Sequence, residues 1–319
     1  MNDRITLREQ LAGMAFAAPY LIGAAAFLVF PLAMSLYYSF CNYSMLQPPI
    51  WIGWTNYRHL LTDHAFHTAL WNTIFYAAIS VPFTLALSLF LALLLNQPTR
   101  GQGIYRTIVF LPSLVPLVAS ALIWQWLFNA DKGLINSVLR PVLHMLGKAV
   151  LSPLAGMLGA RHATIESLRH ISPPVWLGDP HWAMAAIIFI SFWGVGQTVV
   201  IFLAGLQDVP RELHEAAEMD GAGAIHRFFN ITLPMLSPVI FFNLIMGIIG
   251  SWQIFDVPYV MTGGGPGRST LFYSMYIFEA AFNQLRMGPA CAMAWIQLLI
   301  ILFLTVLAFA SARKWVYYA

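Results

Sequence analysis

Charge is what this chain has least of. Asp, Glu, Lys and Arg make up 9% of its 319 residues, while 59% are hydrophobic; an ordinary soluble domain carries about a quarter charged residues. A surface so poor in charge cannot face water on every side, which excludes a soluble enzyme or a soluble binding module. Only two cysteines, Cys41 and Cys291, are present, too few for a disulfide framework or a thiolate metal site. Both fall near the outer ends of expected membrane spans, so a single bridge between them is geometrically conceivable. The net charge of +3 is spread over the loops, which leaves no basic face for nucleic acid. Ionisable residues are nearly absent from the apolar stretches, and histidines, carboxylates and cysteines do not converge. A proton- or sodium-coupled secondary transporter needs the former and a membrane-embedded enzyme the latter.

Long apolar runs take the place of charge. A helix needs about 20 predominantly apolar residues to cross a bilayer, and six stretches qualify, at about residues 15–38, 69–95, 104–128, 182–206, 235–255 and 289–310. The expected fold is therefore an all-α integral membrane protein with six transmembrane helices. Arg4 and Arg8 resemble the charged start of a signal peptide, but the apolar run after them is too long and no cleavage site is clear, so the first span is expected to be retained. Placing the N-terminus inside puts Arg4, Arg8, Arg100, Arg106, Arg211, Arg227, Arg313 and Lys314 in the cytoplasm, and leaves Arg58, Arg268 and Arg286 in the short outer loops. That asymmetry follows the positive-inside rule. It makes residues 1–14, 207–234 and 312–319 cytoplasmic and the long segment 129–181 external.

Segment 207–234 is a polar island. Five of the thirteen acidic residues, Asp208, Glu212, Glu215, Glu218 and Asp220, fall within it. Pro210 suits a first helical position, Glu212 the first turn, and Gly221 the stop, where a left-handed residue carries no Cβ penalty. At helical spacing Leu213, Ala216, Ala217 and Asp220 share one face, with Arg211, Glu215 and Glu218 opposite. The small face allows another backbone to come close; a plain amphipathic surface helix is the simpler alternative.

Elsewhere the polar groups are few. Trp51 and Trp54 precede His59, His64 and His67 in the first outer loop, where the aromatics suit a headgroup belt and the histidines read as solvated loop residues. Pro112 and Pro116 bend the third span, either beside a pathway or as a structural kink. The fourth span carries Trp193, Gly194, Gly196 and Gln197; its glycines suit close helix approach, and the Gln197 amide needs a partner in protein or passing solute. In the fifth, Gly250, Ser251, Trp252, Gln253, Ile254 and Asp256 combine flat apolar faces with convergent polar groups, as a sugar site requires. Asp256 falls at that span's outer edge. The glycine-rich run Gly263–Gly267 has no lysine and no preceding strand, so it is not a phosphate-binding loop and the chain binds no ATP of its own.

Glu215-Ala216-Ala217, three further residues to Gly221, then nine to Ile231 followed by Leu233-Pro234, resembles the cytoplasmic "EAA" loop in the membrane subunits of binding-protein-dependent ABC importers. Thr262 with the following glycines and Pro266, Asp131-x-Gly133-x-x-Asn136, and Trp176-Leu177 resemble the carbohydrate class of these permeases. Within that class the likeness is to the larger membrane subunits of maltose and glycerol-phosphate importers. The resemblance implies a type I importer permease fold over residues 15–311, and a coupling helix in which Glu212, Glu215, Ala216, Ala217, Asp220, Gly221 and Ala222 dock on an ATPase. It implies as partners a second permease subunit, two ATPase subunits that hold ATP and Mg, an extracytoplasmic solute-binding protein and a carbohydrate, all at a bacterial or archaeal cytoplasmic membrane. Positions lining the sugar in the maltose relative fall on Trp193, Gly194, Gln197, Gly250, Ser251 and Ile254, with identity at Gly194 but not at most of the others. The chain departs from the family in an inserted outer segment at about 148–171 and in lacking the maltose subunit's large extra domain. An acidic oligosaccharide or a glycerophosphodiester remains an alternative solute.

Overall fold

The computed structural model describes residues 7–146, 148, 149 and 173–317. Almost all of the expected insertion at 148–171 lies outside the described residues. The chain divides into two compact units, one of Met1–Asp63 with Ile277–Leu299 and one of His64–Tyr276 with Ile300–Ala319.

In the first unit α1 (Leu7–Ala24), a π-helical turn (Ala25–Val29) and α2 (Phe30–Ser39) run on from one another. Gly13–Ser39 is apolar and long enough to cross a membrane, and the most apolar window within it has no buried residue. Where a loop was expected, β1 (Cys41–Ser44) pairs antiparallel with β2 (Gln47–Trp51), Cys41 opposite Trp51. This hairpin is the one departure from an all-α reading among the described residues. Pro48 and Pro49 fit a two-stranded ribbon, where a missing N–H can face outward. Its aromatics cluster: the Phe40 ring stacks on Trp51 at 5.4 Å and meets Trp54 edge-on at 5.0 Å. In α3 (Thr55–Leu60) the buried Asn56 amide donates to the carbonyls of Ser39 and Cys41 at 2.8 and 2.9 Å. Cys41 and Cys291 are free thiols.

The second unit opens on α4 (His64–Leu95). It starts earlier than the sequence suggested, because no glycine or proline interrupts the chain before Pro82 and the Thr68 hydroxyl donates back to the His64 carbonyl at 2.9 Å. His64 and His67 therefore lie in the first turns of a helix, and His59 in α3, so none of the three is a loop residue. The next span is two helices, α5 (Gln102–Phe110) and α6 (Leu117–Leu127), bent by 96° at the Pro112 and Pro116 turn. After α7 (Leu134–Leu146), α8 (Pro180–Ser191) and α9 (Gly196–Gln207) form a second pair bent by 42°. The Asp179 carboxylate caps α8 by accepting from the His181 backbone N–H at 2.9 Å, a bond that with the His181 ring holds its pKa below the usual carboxylate range. Then come α10 (Arg211–Met219), α11 (Ala224–Arg227), α12 (Ser237–Trp252) and α13 (Asp256–Thr262), followed by α14 (Tyr273–Phe278) and α15 (Met287–Ala312), whose residues Ile277–Phe278 and Met287–Leu299 belong to the first unit. Four stretches are apolar and long enough to cross a membrane, or up to six if each bent pair is one span.

Two features place the rest. Asn136, 1% exposed, donates to the carbonyls of Ala130 and Pro174 at 3.0 and 3.2 Å, while its own oxygen accepts from the Trp176 indole at 2.8 Å. The Asn136 and Trp176 motifs are thus one bonded unit, and Gly133 belongs to it because a Cβ there would strike the Asn129 and Leu127 carbonyls. In the core, Val195, Val199, Phe202 and Leu206 of α9 and the residue before it pack with Ala92 and Leu236. Gly196 lets α9 approach α5, since a Cβ there would lie 2.6 Å from the Val109 carbonyl oxygen.

Helix α10 ends as its sequence required, although Pro210 falls just before the first helical residue and not on it. Gly221 has φ +80°, its N–H bonds the Glu218 carbonyl at 3.0 Å, and the Ala222 N–H reaches the Ala217 carbonyl at 2.8 Å. This is the paired bond pattern of a Schellman turn. Gly196→Ala should therefore lower the stability of the purified protein by about 1–3 kcal/mol, read as a fall in unfolding temperature. Gly221→Ala, at a position with open space, should cost about 1–2 kcal/mol of backbone strain and speed amide exchange at Gly221 and Ala222 while leaving α9 unaffected.

Candidate functional site

Three of the helical stretches in the second unit lose their regular backbone, and all three do so at one cavity of about 740 Å³. The first break is Leu111–Pro116, the second Phe192–Val195 and the third Gln253–Phe255, where Phe255 adopts φ −142°, ψ −55°. Their residues Pro112, Ser113, Trp193, Gly194, Gln253 and Ile254 all line the space. In hydrocarbon an unpaired backbone group costs several kcal/mol, so non-helical backbone at membrane depth persists only where protein or a water-filled space satisfies it.

Of the residues proposed from the sequence, Trp193, Gly194, Gln197, Gly250, Ser251, Gln253, Ile254 and Asp256 line the cavity. Trp252 does not. It is 3% exposed, its ring lies 6.2 Å from that of Tyr273, and its carbonyl accepts the Ser274 hydroxyl at 3.0 Å. One step along a helix turns the side chain through about 100°, and the neighbours Ser251 and Gln253 take the cavity side. Asp256 is not at the rim of its span: α13 continues the apolar stretch to Thr262, which places the carboxylate inside a 26-residue candidate span.

The glycines serve two different ends. A Cβ on Gly194 or Gly250 would meet nothing within 4 Å, so these two leave bare backbone at the cavity. Gly196 and Gly205 are packing positions, Gly205 lying against Val239 and Leu236.

Other lining groups went unread in the sequence. Tyr76, Ser80 and Thr84 on α4 face the cavity, joined by Ser120, Ser191, Thr198 and Asn243. A signal for the first three was present: Tyr76, Ser80, Thr84 and Ser88 recur every fourth residue on an otherwise apolar helix, which puts them on one face. The glycine-rich run, by contrast, is tied to its own chain. The Thr262 hydroxyl meets that of Thr270 at 2.7 Å, and the Asn72 amide donates to the carbonyls of Arg268 and Leu271 at 2.9 and 3.0 Å. No group of three or more His, Cys, Asp or Glu side chains that could hold a metal occurs among the described residues.

The 207–234 segment is built in the opposite way. No residue of α10 is buried, and Met219 is 89% and Ile225 76% exposed. Glu215, Ala216 and Asp220 are exposed and Ala217 half-buried. Its internal tie is the ion pair between Arg227 and Glu218 at 2.6 Å, which exposure limits to about 1 kcal/mol or less.

Known proteins match this arrangement over almost its whole length. A probable ABC transporter permease of Bacillus subtilis, YesP, is 38% identical over 99% of this chain and 95% of its own length. The sulfoquinovosyl glycerol transport system permease protein SmoG of Agrobacterium fabrum is 36% identical over 91% of this chain and 86% of its own. The crystal structure of a bacterial ABC transporter involved in the import of the acidic polysaccharide alginate superposes with a TM-score of 0.75 over 97% of both chains, at 21% identity. The family model for the binding-protein-dependent transport system inner membrane component matches residues 84–316, a region that holds the exposed α10 and all of the cavity lining except Tyr76, Ser80 and Val81. The chain belongs to that family: it is a multi-pass inner-membrane permease subunit of a binding-protein-dependent ABC importer.

Proposed function

We propose that this subunit carries a sugar or oligosaccharide through the cavity of the second unit, with ATP hydrolysis on two partner ATPase subunits coupled to it through residues 207–234. The observation that carries the reading is the lining itself, where the aromatics Trp193, Phe242 and Phe255 stand beside hydroxyls and amides from three broken spans. Sugar recognition uses this mixture, with flat faces for the C–H surfaces and polar groups for the hydroxyls. The relatives named for sulfoquinovosyl glycerol and for an acidic polysaccharide support a carbohydrate class.

In this reading α10 lies on the cytoplasmic side, and its Leu213, Ala216 and Ala217 face enters a cleft of the ATPase. Glu212, Glu215 and Asp220 make polar contacts at the edge, and Gly221 with Ala222 turns the chain back. A second permease completes the pathway, and a soluble binding protein delivers the solute to the outer side. Coupling requires that α10 bind the two ATPase states with different affinity, since equal affinity shifts nothing. The lining residues Trp193, Gly194, Gln197, Gly250, Ser251, Gln253, Ile254 and Asp256 then contact solute in the state that receives it.

The test is ATP hydrolysis by this chain reconstituted with the second permease, the ATPase and the binding protein over a panel of sugars. One loaded binding protein should stimulate hydrolysis, and Ala216→Arg should abolish stimulation by removing the close approach without unfolding the permease. An ATPase that fails to associate with the wild-type chain would refute the role given to α10. Association without stimulation by any sugar would refute the carbohydrate assignment.

A further inference from the structure

The hydrogen-bond polarity of the cavity has a direction. The hydroxyls of Ser113, Ser191 and Ser251 donate to carbonyls of their own helical turns, those of Phe110, Ile188 and Ile248, at 2.6, 2.6 and 2.8 Å. The Asn243 amide N–H donates to the Val239 carbonyl at 2.9 Å. Each serine has its proton committed and keeps acceptor lone pairs, while Asn243 keeps its amide oxygen and a second N–H. Asp256, an acceptor only, is exposed into the same space with no hydrogen bond or ion pair among the described residues. Gln197 and Gln253 supply amide donors, and Ser80, Thr84, Ser120 and Thr198 supply further hydroxyls. No Lys, Arg or His among the described residues lines the cavity.

Resting on the carbohydrate reading above, we propose that this subunit selects a sugar without an anionic group, and that Asp256 is the residue that sets this preference. Sugar hydroxyls donate to the acceptors that the helices leave open. A carboxylate, sulfonate or phosphate only accepts; the Gln197 and Gln253 amides can donate to it, but it would share the space with the Asp256 carboxylate and find no cation among the described lining residues. An anion in a poorly solvated site without a partner is costly. At a separation of about 6 Å and an effective dielectric of about 40, between that of a protein surface and bulk water, repulsion by the exposed Asp256 alone amounts to about tenfold in affinity. The preference distinguishes this chain from importers whose named solutes carry a sulfo group or an acidic polysaccharide chain.

The experiment measures solute binding to the purified permease and ATPase complex without the binding protein, read as a shift in unfolding temperature at low ionic strength. The panel pairs lactose, maltose and trehalose with digalacturonate and glycerol 3-phosphate, and includes alanine as a non-sugar. A neutral sugar should bind at least tenfold more tightly than any anion. Asp256→Asn should narrow that ratio by about tenfold, while Asp256→Glu should retain it. Anionic binding equal to or tighter than neutral binding in the wild type overturns the proposal and leaves the carbohydrate reading standing. An unchanged ratio in Asp256→Asn also overturns it. A response to alanine alone removes both. If the asparagine variant does not assemble, the wild-type panel decides.

Discussion

Every peptide group placed in hydrocarbon must find its hydrogen bond within the protein, and the second unit is arranged around that requirement. Regular helix meets it without help, which is why α4 runs unbroken from His64 to Leu95. Three neighbouring stretches depart from the regular α-helical pattern at Leu111–Pro116, Phe192–Val195 and Gln253–Phe255, and these departures coincide at one cavity. The polar backbone that lipid would reject is the polar surface that a hydrated solute can use. Prolines at 112 and 116 create one break directly. At the second, Gly194 removes the side chain that would otherwise cover the exposed backbone.

The same requirement explains why hydroxyls are the commonest polar groups of the lining. A serine in a helix can satisfy its own proton on the preceding turn, as Ser113, Ser191 and Ser251 do, so it is stable in an apolar setting before any solute arrives. An unpaired lysine or arginine has no such local partner. These serines are at rest when the cavity is empty, whereas Asp256 has no hydrogen bond among the described residues, and that contrast carries the inference about charge.

Much of this was legible beforehand. Helical stretches followed from apolar run length, and the exposed α10 with its Gly221 stop followed from local chemistry that tertiary packing does not override. The hairpin at Cys41–Trp51 was missed because its aromatics also suit a headgroup belt, and only the pairing of Cys41 with Trp51 distinguishes the two. The extension of α4 to His64 was missed because a polar helical turn and a polar loop share a composition. Trp252 was grouped with its neighbours by chain proximity, whereas helical rotation separates them. The polar line Tyr76, Ser80, Thr84 was readable by period, but isolated hydroxyls on a hydrophobic helix carry little weight until a cavity is seen beside them.

The clasp made by Asn136 has a consequence for how this chain can change. By holding the carbonyls of Ala130 and Pro174 and the indole of Trp176 with a single side chain, it fixes where the polypeptide leaves α6 and where it rejoins α8. A single amide thus links two helix ends that chain order alone leaves far apart, so its loss would release both ends at once.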